Sequence, residues 1–186
     1  MAIYQYKIDL IPRQSIVDKY GDIPNNLLID HEAWERHLNK ENIENDFDFE
    51  DALTIPWWKE RKVLFNEIEN FIDSITKLIE WSKDYTDSKS YGNNDTNDFS
   101  IGLTDEGYIG DFGVRFDLRE LDKKFIENIF VLAKKIDCLL IDRKGNLFEP
   151  TFDKLVENIE QSNSFKFVSN PTDFFDKLSS AQIKPE

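Results

Sequence analysis

The sequence predicts an α+β fold, a mixed or antiparallel sheet with helices on one face, and three observations lead there. Residues 98 to 118, DFSIGLTDEGYIGDFGVRFDL, alternate apolar and polar positions on both sides of Thr104-Asp105-Glu106-Gly107, the pattern of a β-hairpin with one buried face. Residues 58 to 81 and 122 to 136 place apolar side chains at i, i+3, i+4 spacing, so each is an amphipathic helix with one stripe to bury. Because the hairpin strands alternate, only one face of the sheet needs covering.

In chain order, Tyr4, Tyr6, Ile8 and Leu10 alternate with Gln5, Lys7 and Asp9 until Pro12 removes a donor, giving a half-buried strand over 3–11. Residues 12–56 form an insertion with turn material at Gly21 to Asn26 and a short helix over 31–39, where Trp34 and Leu38 stand one turn apart. The long helix of 58–81 follows, entered through Pro56-Trp57-Trp58. Residues 82–97, SKDYTDSKSYGNNDTN, lack apolar periodicity and read as a long polar loop. After the hairpin, Asp122 is the N-cap of the second helix, whose last turn carries Lys134 and Lys135 where the helix dipole favours cations. Cys138 to Ile141 is an apolar run too short for a helix, a strand covered on both sides. A helical extension over 150–178 completes the chain: a third helix on Phe152, Leu155, Val156 and Ile159, a short edge strand at Phe165 and Phe167, and a last helix with Asn170 as N-cap and Pro171 at its first turn. Strand, helix, hairpin, helix, strand is the βαββαβ order of the ferredoxin-like split βαβ arrangement, here with an N-terminal insertion and within a single domain over 1–186.

Composition excludes several classes. With one cysteine, Cys138, no intramolecular disulfide forms, and His31 and His37 do not complete a zinc pattern with it. The N-terminal stretch MAIYQYKIDLIPR has no signal-peptide pattern and no run of 18 apolar residues occurs, so a soluble, cytoplasmic protein is expected, with no membrane partner. The net charge of −14 repels phosphate backbones and anionic lipid, which argues against nucleic acid. No glycine-rich phosphate loop, GxSxG or HExxH is present, and Asp111-Phe112-Gly113 lacks the companions of a kinase metal triplet. Asp84, Asp87 and Asp95 lack the spacing of a calcium loop. No cofactor, metal or catalytic set is therefore expected.

The charge is concentrated. Residues 41–56 hold six acids and no base, and 84–111 hold seven acids and one base, so twelve of the fourteen excess negative charges fall in 44 residues. Self-repulsion in two segments is relieved by a cationic partner. The candidate partner-binding residues are Asp46, Phe47, Asp48, Phe49, Glu50 and Asp51 in the first tract and Asp84, Tyr85, Asp87 and Tyr91 in the second; acids steer encounter and aromatics anchor.

The last third carries Asp142-Arg143-Lys144-Gly145-Asn146, Pro150, Ser164-Phe165-Lys166-Phe167 and Asn170-Pro171. In these residues it is similar to small uncharacterised bacterial families, and with its acidic α+β layout the chain resembles the bacterial immunity proteins that neutralise polymorphic toxins. The resemblance implies stoichiometric inhibition of a basic toxin by occlusion of its active site. Two other readings compete: a scaffolding protein with an apolar surface at Trp57, Trp58, Phe174 and Phe175, and a hydrolase using two of the 37 acids, which a carboxylate pair in a cleft would favour.

Overall fold

The computed structural model describes residues 3–39, 47–180 and 182. Strand β1 (Gln5–Pro12) runs straight into α1 (Arg13–Tyr20), and α2 (His31–Leu38) is capped by the Asp30 carboxylate, which accepts the Ala33 N–H at 2.9 Å. Then come α3 (Asn66–Ile75), β2 (Ser88–Gly92), β3 (Asp98–Leu103) and β4 (Ile109–Asp117). Helix α4 (Lys123–Lys135), β5 (Cys138–Asp142), β6 (Leu147–Phe148), α5 (Phe152–Gln161), α6 (Asn163–Ser169) and α7 (Pro171–Ser179) complete the order.

The six strands form one sheet in the order β2-β3-β4-β1-β5-β6, and every pair is antiparallel. The fold is α+β. Helix α3 lies on the connection from β1 to β2, which spans β4 and β3, and α4 lies on the connection from β4 to β5, which spans β1. Strands β2 and β6 are added at the two edges.

Period-two alternation sorts the side chains. Tyr6 opposite Phe116, Ile8 opposite Val114, and Phe99 and Ile101 on β3 share one buried face. Phe125 of α4 packs there, 6.2 Å from the Phe99 ring and 6.1 Å from that of Phe116. Tyr91 of β2 lies on the same side, near Asp73 of α3.

Four expectations are corrected. The long helix contracts to Asn66–Ile75, because Thr76 turns extended and residues 77–79 leave to pair with the edge of β2: Ile79 N–H donates to Ser90 O at 2.8 Å and Gly92 N–H to Lys77 O at 2.9 Å. The polar loop of 82–97 contains β2, since Tyr91 alone supplies the apolar area to seat it, stacked 5.2 Å from Phe99. Phe165 and Phe167 lie on α6 rather than a strand, because the Ser162 hydroxyl accepts the Phe165 N–H and starts a helix. The other sheet face is also covered at its β5 end: Ile11, Leu139 and Ile141 are buried, and Ile55 of the insertion with Trp57 and Trp58 just after it stand over that end of the sheet. The insertion is tied down by Leu27 N–H to Gly145 O at 2.8 Å and by Trp58 Nε1–H to Leu10 O at 3.0 Å.

Candidate functional site

The second face of the sheet is built from the polar positions of the same strands. Register places Ser90, Ser100, Gly113, Asp9 and Ile141 in one row across five strands. Asp98, Arg115 and Lys7 form the next row, and Gly102 and Asp111 lie on the other side. Gly113 is the bare centre. A Cβ built there would meet Asp9 Oδ1 at 3.0 Å, Lys7 Cε at 3.7 Å and Ser100 Oγ at 3.7 Å, so glycine lets three functional side chains converge.

On one side of Gly113 lies a recess of about 460 Å³. Pairing of β1 with β4 ends at Asp9 and Gly113, and β3 slips register against β4 at Gly102 and Leu103, which leaves a notch between the strands. The Leu10 carbonyl near the end of that ladder is taken by the Trp58 indole. Asp9, Asp111 and Arg143 line the recess, with Trp34 and Trp57 from the insertion. Asp9 Oδ2 stands 3.3 Å from the Arg143 guanidinium. Asp111 stays exposed at the mouth of the recess, yet partial desolvation there raises its pKa; a hydrogen bond from the Gly102 backbone opposes the rise and the Asp9 charge adds to it.

On the other side lies a hollow of about 400 Å³ lined by Lys7, Ser90, Asn94, Ser100, Arg115 and Trp81. Asp98, at its edge, is buried and both of its oxygens are held by the Arg115 guanidinium. Burial lowers the Lys7 pKa, and the charges of Arg143 and Arg115 lower it further against the pull of Asp9. The notch carries two carboxylates and one guanidinium; the hollow carries an ammonium and a guanidinium against one carboxylate. The two halves of the face therefore have opposite polarity.

Aromatic clusters stand at both margins. Trp34 packs edge-on against Phe47 at 5.2 Å and Phe49 at 5.3 Å, with His37 4.9 Å from Phe47. Trp81 meets Tyr85 at 5.9 Å.

The structure separates the sequence-predicted residues. Asp46 lies outside the described residues. Phe47, Asp48 and Glu50 are exposed, Phe49 is half-buried, and Glu50 pairs with Lys19 at 2.7 Å. Asp84, Tyr85 and Asp87 are exposed at the opposite margin. Two residues are corrected: Tyr91 is 2% exposed and belongs to the core, and Asp51 is 3% exposed with a full set of internal donors, so neither offers a contact surface. Trp57, Trp58 and Phe174 are also buried, which removes most of the apolar surface a scaffolding role would use. Part of the second tract's charge is neutralised internally, by Arg115 on Asp98. Lys7, Asp9, Ser100, Asp111, Arg115 and Arg143 lie outside the two tracts the sequence marks for a partner or carry no motif of their own; the signal for them is charge recurring at every second position of two strands that pair, together with Gly102, Gly110 and Gly113.

Among the described residues no group of three or more His, Cys, Asp or Glu could hold a metal ion, and no helix is long and apolar enough to cross a membrane. Burial raises the Cys138 thiol pKa, which leaves the thiol inert. No known protein family, curated protein or solved structure matches this chain significantly.

Proposed function

We propose that this chain is a non-catalytic acidic binding protein of the cytoplasm that engages a basic protein through the second face of its sheet, as a bacterial immunity protein occludes a toxin's active site. One observation carries the reading: two acidic tracts remote in sequence reach opposite margins of one sheet face, each with an aromatic cluster, Phe47 and Phe49 on Trp34 and Tyr85 on Trp81. Exposed acids speed encounter with a cationic partner, and part-exposed aromatics supply area that is desolvated on contact. The notch at Asp9 and Asp111, walled by indoles, suits one basic side chain of that partner.

The test is affinity capture from the native cell or co-expression with the adjacent reading frame, followed by association kinetics. A basic partner is expected, with an association rate several-fold lower and less salt-dependent for the triple variant Asp48→Asn, Glu50→Gln, Asp84→Asn. An acidic partner, or an unchanged rate at low salt, overturns the proposal.

A second reading is a carboxylate-dependent hydrolase, favoured by Asp9 and Asp111 sharing one recess with Asp111 displaced towards its protonated form. Turnover of an ester or phosphoester panel, abolished by Asp111→Asn, would select it.

A further inference from the structure

We propose that the hollow beside Gly113 is a binding site for an oxyanion, a carboxylate or phosphate group, with Lys7 as its principal ligand and the Ser100 and Ser90 hydroxyls as further donors. This goes beyond the basic-partner reading, which rests on the margins and on the Asp9–Asp111 notch.

The argument starts from which charges are already satisfied. Arg115 spends Nε and Nη2 on the two oxygens of Asp98, and Nη2 also reaches Asn94 Oδ1 at 3.4 Å, so the buried Asp98 is fully compensated. Asp9 turns Oδ2 to Arg143 at 3.3 Å. Lys7 has neither a hydrogen bond nor an ion pair among the described residues, although it stands between these pairs on the floor of a cavity of about 400 Å³. The exposed Ser100 hydroxyl, two strands from Lys7 along the same face, and the half-buried Ser90 hydroxyl, three strands away, are likewise without a hydrogen-bonded partner among the described residues, and Ser100 Oγ and Lys7 Cε both lie 3.7 Å from the point a Gly113 Cβ would occupy.

Lys7 is half-buried, and a partly desolvated ammonium without a hydrogen-bonded partner is destabilised, which makes it easier to deprotonate. A bound oxyanion reverses this: it supplies the missing opposite charge, accepts from the ammonium and accepts from hydroxyl donors on the neighbouring strands. A cationic ligand would face Lys7 and Arg115, and an apolar one would leave the ammonium desolvated, so neither suits the hollow. Trp81, 51% exposed at its rim, presents an indole against which the group bearing the oxyanion can lie.

The experiment titrates the protein with inorganic phosphate, acetate and benzoate at constant ionic strength and pH 7, following amide shifts of residues 7, 100 and 113 by NMR. Saturable binding of at least one probe is expected, weakened about tenfold or more in Lys7→Met, the loss of one charge-assisted contact, and retained within a few-fold in Lys7→Arg. Affinity should fall as pH rises, because Lys7 loses its proton below the ordinary lysine range. Phosphate against the two carboxylates distinguishes the class of oxyanion, and benzoate against acetate reports the contribution of Trp81. Lys123→Met, on the exposed side of α4, is the charge control. Absence of saturable binding by all three probes, or binding by folded Lys7→Met within twofold of the unaltered protein, overturns the proposal.

Discussion

Asp51 Oδ2 accepts the indole N–H of Trp34 at 2.7 Å and, from the other side, the backbone N–H of Asp30 at 3.0 Å. Its second oxygen takes the backbone N–H groups of Leu53 and Thr54, at 2.8 and 3.2 Å. One buried carboxylate thus joins α2 to the segment that roofs the notch, and fixes the tryptophan on which Phe47 and Phe49 rest.

Asp51→Asn is expected to lower stability by about 2 kcal/mol, because an amide presents one acceptor oxygen where four donors converge on two. Asp48→Asn and Glu50→Gln, both exposed, should stay within about 0.5 kcal/mol. Urea denaturation measures all three, and equal small effects would remove Asp51 from its structural role.

Gly145→Ala is expected to cost about 2 kcal/mol or more, since Gly145 has φ +83° and an added Cβ would stand 2.0 Å from the Leu27 carbonyl oxygen, a backbone atom with no room to give. Gly107, with φ +79° and open space around it, isolates the backbone strain; Gly107→Ala should cost about 1 kcal/mol. Similar losses at the two sites would show that contact with the insertion contributes nothing.

Tyr91→Ala should cost about 3–5 kcal/mol as a large aromatic leaves the core, while Tyr85→Ala, at a ring 52% exposed, should cost far less. Burial, helped by Asp73 and Glu69, pushes the Tyr91 phenol up to about 12. A folded pKa above the unfolded value of 10.0 means that this stabilising contribution is complete below pH 10 and is lost as pH rises towards 12. Ultraviolet titration should find a tyrosine that ionises only near pH 12, after those of ordinary pKa; normal titration of all six would contradict its burial.

Asp111 titrates in the opposite sense to an ion-paired carboxylate. Its folded pKa lies above the unperturbed value of 3.8, so its contribution to stability is present at acid pH and is lost as pH rises through the folded pKa. Asp111→Asn should therefore be more stable than the parent at pH 7, with the advantage vanishing as pH falls to the acid range where both side chains are neutral. Denaturation midpoints at the two pH values check the sign, and a destabilised variant at pH 7 would refute the desolvation argument.

Sequence by itself determined the elements whose signals are local. Alternation across Thr104 to Gly107 defined the hairpin, Asp122 and Asn170-Pro171 marked helix starts that the structure uses, and the run at Cys138 could only be a buried strand. Their order was enough to indicate α+β. Tertiary structure alone decided where a stretch had two outcomes of similar local energy. Ile75, Leu78 and Ile79 satisfy helical spacing, yet the last two bury as well against the edge of β2, and that edge exists only once Tyr91 has stacked on Phe99. The candidate site was hidden for a related reason. Lys7, Ser100 and Asp111 each read alone as a solvated strand residue; cross-strand register, which no local pattern specifies, brings them around one glycine, where the partial desolvation of Lys7 and Asp111 shifts both their pKa values.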